Sequence, residues 1–205
     1  MHVSTLRIFS SLLMLCVDLI NGGLGINRTL CTGPDADEEG RNFELISLHA
    51  LVNHDMIESV CNEVQDNVGF GEECLQLLSM DSRFNSASDY HDLSISILRF
   101  ALAKGIQGQN YFIDIEKTNA SQAIHQCATI YYNSTISFFR GALRDLDVNR
   151  DNANKEAGQA ADGVESCKIA IDAEKIHNST IINMNKMMSL LSDVAFSAID
   201  LYSQE

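Results

Sequence analysis

Residues 153 to 171 read ANKEAGQAADGVESCKIAI, and Ala153, Ala157, Ala160, Val164, Cys167 and Ile171 recur in it at intervals of 4, 3, 4, 3 and 4. That period sets all six on one stripe of an α-helix, whereas a strand would bring every second residue to the same face. Alanines along the stripe leave little bulk between this helix and its neighbour, so the two must approach closely.

Downstream, Ile181, Met184, Met188, Leu191, Ala195, Ala198 and Leu201 form a second seam of the same kind. Upstream, Asp147 to Asp151 predicts a turn, and Ala123, Cys127, Ile130, Ser134, Phe138 and Leu143 predict the buried stripe of a helix from about Ser121 to about Leu146. Leu93, Ile97, Phe100, Ala101 and Ala103 open another helix, which runs on to Ile115 through Gly105 and Gly108. Before the polar turn at 80–89, the apolar positions from Phe43 to Val60 predict a helix, Gly69-Phe70-Gly71 a turn, and Cys74 to Leu78 a short second helix. No run alternates at period two, so no strand is expected. Four strong helices with short connections predict an all-α fold: an up-down-up-down four-helix bundle over about 90–203, preceded by a helical hairpin over about 43–80.

The chain has 205 residues and a net charge of −14, a field that repels phosphate backbones and anionic lipid, so neither a nucleic acid nor a membrane surface is the expected partner. Its start reads as an export signal. Arg7 precedes the apolar run Ile8 to Ile20, and Gly23 and Gly25 suit cleavage after residue 25. A membrane anchor is the competing reading, but these 13 residues include Asp18 and fall short of the ~20 that a spanning helix needs. Residues 26–42 hold the only proline, Pro34, and the acidic run DADEEG, which predicts a solvated, flexible leader before a helical domain over 43–205.

Export suits the cysteines. Cys16 leaves with the signal, and Cys31, Cys61, Cys74, Cys127 and Cys167 remain. Zinc is the alternative, yet there is no C-x-x-C, and His49, His54, His91, His125 and His177 lack ligand spacing. Cys127 and Cys167 stand at nearly equal distances from the turn near residue 149, so antiparallel packing levels them and predicts a disulfide. Cys61 and Cys74 then clip the hairpin, and Cys31 is left over, open to dimerisation through its thiol. Asn27, Asn119, Asn133 and Asn178 head N-x-S/T acceptors for glycosylation.

The hexapeptide MIESVC at 56–61, Cys74 with Leu75 to Leu78 behind it, AIHQCATIYYNST at 123–135 and AGQAADGVESC at 157–167 together resemble the plant invertase and pectin methylesterase inhibitor family over about residues 50 to 203. The resemblance implies a four-helix bundle behind a disulfide-clipped hairpin. It also implies a secreted protein of the cell wall that is not an enzyme, but binds one enzyme molecule and covers its substrate cleft.

The residues themselves offer no catalytic motif and no cofactor or metal site. Asp89 and Asp92 around His91 suggest a catalytic cluster on paper, but Asp89 serves better as the N-cap of the helix that follows. Pectin methylesterase is the first target the resemblance implies, and acid invertase the second; a secreted helical binding protein without inhibitory activity is the third reading. Members that bind the esterase present acidic residues two and six positions after the third cysteine, where this chain has Thr129 and Asn133, and it keeps a hydroxyl, Ser166, before the fourth. These three are the interface candidates. The Pro-Lys-Phe motif associated with invertase-binding members is absent. A small-molecule carrier would instead line a cavity with Met184, Met187, Met188 and Phe138 or Phe139, side chains that core packing explains more simply.

Overall fold

The computed structural model describes residues 6–8, 15–20, 27–32, 54–65, 69–79, 81–118 and 121–204. The chain divides into two units, Met1–His49 and Ala50–Glu205. The first carries strands β1 (Leu6–Ile8), β2 (Leu15–Ile20) and β3 (Asn27–Thr32) in an antiparallel sheet of order β1-β2-β3. The expected all-α fold is that of the second unit, and these three short strands lie outside it. A short apolar run satisfies a strand as readily as an export signal. The register sets Cys16 opposite Cys31. Removal of residues 1–25 would take β1 and β2 with it.

The second unit is helical: α1 (54–65), α2 (Gly71–Ser79), α3 (Tyr90–Glu116), α4 (Gln122–Gln126), α5 (Tyr132–Asp145), α6 (Arg150–Ala173) and α7 (Ser179–Gln204). A π-helical stretch, Cys127–Tyr131, joins α4 to α5 in one rod. The predicted start of the first helix at Phe43 lies outside the described residues.

Short polar side chains set the helix starts. Asp89 accepts from the backbone N–H of Asp92 at 2.8 Å, Ser121 from Ile124 at 3.1 Å and Asn149 from Asn152 at 3.1 Å, each filling an orphan donor of a first turn. Between α1 and α2 the chain reverses at Gly69, whose φ of +78° is left-handed backbone that glycine adopts without strain. The Cys61–Cys74 disulfide spans that reversal with its Cα atoms 5.5 Å apart. The hairpin feeds Met56, Ile57, Val60, Val64 and Leu78 into the same core as the bundle. Glu73 on α2 meets Lys186 on α7 at 3.3 Å.

In the bundle, α3 packs on α5 and α7, and α6 packs on α5 and α7, a closed ring of four. At one end the start of α3 meets the α5–α6 turn and the last turn of α7. There His91 Nε2 lies 2.6 Å from Asp147, and its ring 5.1 Å from that of Tyr202. Arg150 stacks over Tyr202 at 3.9 Å and donates to its carbonyl at 3.1 Å. At the other end Glu174, past α6, accepts from the Ser121 hydroxyl at 2.6 Å and from the Ala123 N–H at 2.9 Å. Such end-to-start contacts are those of an up-down-up-down arrangement.

Candidate functional site

The rod from α4 to α5 divides into an inner stripe and an outer face, and the π stretch decides which residue falls on which. In a regular helix Cys127, Ile130, Ser134 and Phe138 would share the buried side. Here the N–H of Tyr132 bonds to the Cys127 carbonyl five residues back, so one extra residue enters the turn. Everything downstream is rotated. Tyr132, Thr135, Ile136, Phe139, Ala142 and Leu146 are buried, while Ile130 is 55% exposed and Ser134 and Phe138 are half-buried. The expected stripe holds as far as Cys127 and is then displaced. Gln109 on α3 reaches into this stretch, its side-chain amide donating to the Ala128 carbonyl at 2.9 Å.

Behind the rod, α6 comes close because Gly163 permits it. A methyl group there would strike the Tyr131 carbonyl and the Thr135 hydroxyl. Thr135 donates to the Ala160 carbonyl at 2.9 Å, and the Cys127–Cys167 disulfide, with Cα atoms 5.0 Å apart, ties the two helices. The Tyr132 hydroxyl donates to Asn185 on α7 at 2.7 Å; burial pushes its pKa up, so it remains a neutral donor. The described residues include no free cysteine.

On the outer side Thr129 is exposed, its hydroxyl donating to the His125 carbonyl at 2.7 Å. Asn133 is exposed too. The two stand four residues apart on the rod, with Ile130 between them. Ser166, half-buried on α6 beside the disulfide, donates to the Asp162 carbonyl at 2.8 Å. The hydroxyls of Thr129 and Ser166 thus give their protons to backbone and keep lone pairs toward solvent. Around them, His125 meets Glu116 at 2.6 Å and Lys168 meets Glu165 at 3.1 Å. Such a surface can accept hydrogen bonds and bury an apolar side chain. Ile130, which the regular spacing assigns to the core, is the residue of this face that sequence reasoning missed, and only an i to i+5 reading of the stripe would have found it.

The remaining candidates fall elsewhere. Asp89 caps α3, and Asp92 accepts from the Ser88 hydroxyl at 2.5 Å, which holds its carboxyl below the usual range. Asp89, His91 and Asp92 are near enough to offer a metal three ligand atoms, as are the exposed His54, Asp55 and Glu58. The first group is already engaged in holding the start of α3. Of the carrier reading's methionines, Met188 is buried, Met184 half-buried and Met187 36% exposed, so the three do not line one cavity. Among the glycosylation candidates, Asn119 lies outside the described residues and Asn27 opens β3. Asn178 caps α7.

No helix among the described residues is long and apolar enough to cross a membrane. No family model and no curated protein matches the sequence. Among solved structures the chain is similar to a mutant form of a pectin methylesterase inhibitor from Arabidopsis, with a TM-score of 0.61 at 18% identity over 70% of this chain and 97% of that one. It is likewise similar to a pectin methylesterase inhibitor from Arabidopsis thaliana, with a TM-score of 0.52 at 17% identity over 71% and 94%. The helical unit therefore has the fold of those inhibitors, and their names are those of enzyme inhibitors rather than enzymes.

Proposed function

We propose that the protein is a secreted inhibitor that binds a plant cell-wall pectin methylesterase one to one and blocks its substrate cleft. The observation that supports this most is that the backbone follows nearly the whole length of two esterase inhibitors. Its core is tied by disulfides, which suit an oxidising extracellular setting. The outer face of the rod, with Thr129, Ile130 and Asn133, together with Ser166, which precedes the disulfide cysteine Cys167 on α6, is the surface we assign to the enzyme. An exposed apolar side chain, Ile130, with the exposed Thr129 and Asn133 near it along the rod has the make-up of a small interface centre. Inhibition is then steric: the chain supplies no chemistry and occupies the cleft. Its excess of carboxylates favours a basic enzyme, an attraction that weakens as salt rises.

The test is a titration of the secreted chain into purified pectin methylesterase, with acid invertase run in parallel. Loss of esterase activity at equimolar chain supports the reading. An esterase left fully active by excess folded chain overturns it, and loss of invertase activity alone moves the target to invertase.

A further inference from the structure

The outer face of the rod holds an Asn133-Ser134-Thr135 acceptor, and the structure treats the two described acceptor asparagines of the bundle, Asn133 and Asn178, differently. Asn178 is committed to the fold: its Oδ1 accepts from the N–H groups of Thr180 at 2.9 Å and Ile181 at 3.3 Å, and its Nδ2 donates to the Tyr111 hydroxyl at 3.3 Å. A sugar on that nitrogen would compete with Tyr111. Asn133 contributes only its backbone carbonyl, which accepts from the Ser137 hydroxyl at 2.8 Å. Its exposed side chain makes no hydrogen bond among the described residues. Asparagine is a poor helix former, and no packing contact or cap accounts for one in the first turns of α5. Thr135, by contrast, is required by the bundle through its bond to Ala160. It is the asparagine that the fold leaves unexplained.

We propose that Asn133 carries an N-linked glycan and that this glycan controls access to the outer face of α5. The proposal rests on the export and inhibitor readings above. In the transfer, Nδ2 forms a bond to the anomeric carbon of a lipid-pyrophosphate-linked oligosaccharide and gives up one proton. The lipid pyrophosphate departs with the electron pair of the broken C–O bond. Thr129 and Ile130, one turn before the attachment point, and Ser137, one turn after it, then lie under the sugar. The apolar surface of Ile130 is sheltered until the glycan is trimmed or absent.

The test uses the full chain secreted from a eukaryotic cell line. Glycopeptide mass spectrometry is expected to find the Asn133 peptide modified, and an unmodified Asn133 overturns the proposal. For shielding, Ile130→Cys is labelled with maleimide-polyethylene glycol in the glycosylated chain and in one that also carries Asn133→Gln. Labelling is expected to be several-fold slower with the glycan in place, and equal rates overturn the control of access. Binding to pectin methylesterase by wild type and by Asn133→Gln separates this from the inhibitor reading. A gain of about tenfold on losing the glycan supports both, equal affinity overturns the glycan's control, and no binding by either form overturns the inhibitor reading while the first two measurements still decide the glycan.

Discussion

The two sides of the α4–α5 rod are built from the same stretch of chain under opposite constraints. Toward α6 and α7 almost every atom is specified: Gly163 because a methyl group has no room, Thr135 because its hydroxyl bonds Ala160, Tyr132 because its hydroxyl bonds Asn185. Toward solvent, Thr129, Ile130 and Asn133 touch little, and packing would accept many other residues there. A fold is legible where packing dictates residue type; a partner is written where packing is indifferent. Stability and binding should therefore separate cleanly in mutants of the two sides.

The largest break falls on the inner side at the disulfide. Replacing Cys127 and Cys167 together by alanine should cost about 4 kcal/mol, against about 3 kcal/mol for the shorter Cys61–Cys74 loop, measured by urea unfolding. Gly163→Ala comes next, with a loss of about 2 kcal/mol, because the added carbon meets backbone that cannot move and this outweighs alanine's helix preference. Gly141→Ala sharpens that point. There the obstacle is the carboxylate end of Glu156, which can swing away, so the change should cost clearly less. Tyr132→Phe should cost about 1–2 kcal/mol by leaving the Asn185 carbonyl oxygen without its donor.

Acid should act in two directions. Asp193 on α7 is half-buried, and desolvation raises its pKa, so its charge opposes folding near neutral pH and that opposition fades as pH falls through the raised value. Asp193→Asn is expected to raise Tm at pH 7 by the equivalent of less than about 1 kcal/mol and to leave Tm unchanged at pH 3. Asp81, held down to about 2 by the Arg83 side chain and then its backbone, and Asp145, lowered by Arg144 and then Asn152, behave oppositely. Their contribution is present above the unfolded carboxylate range and is lost as pH falls through their depressed values, so the melting curve should peak on the mildly acidic side of neutral. Smallest of all are the outer substitutions Thr129→Ala, Ile130→Ala and Ser166→Ala, expected within about 0.5 kcal/mol of wild type in stability, while each weakens binding to the esterase.

How far the sequence could be read follows from the same contrast. The 4, 3, 4, 3, 4 spacing of α6 was legible because close packing admits only small residues there, and the long α3 because nothing ends it before Glu116. The buried stripe of the rod was legible only to Cys127, since the extra residue of the π turn leaves no mark in composition and carries Ile130 from the expected core to the surface. The strands at 6–32 were illegible because a short apolar run serves equally as a signal segment or as a strand. Thr129, Asn133 and Ser166 are candidates only through the family resemblance, which places them by their distance from the cysteines; nothing in their own chemistry singles them out.

The most direct test is a calorimetric titration of pectin methylesterase with the secreted chain freed of its Asn-linked sugars, comparing wild type with Ile130→Asp. One chain bound per enzyme is expected for wild type, and for the variant an unchanged Tm with affinity lowered by about tenfold or more. Equal binding by both would contradict the assignment of the outer face, and no binding by a wild-type chain that melts cooperatively would contradict the inhibitor reading itself.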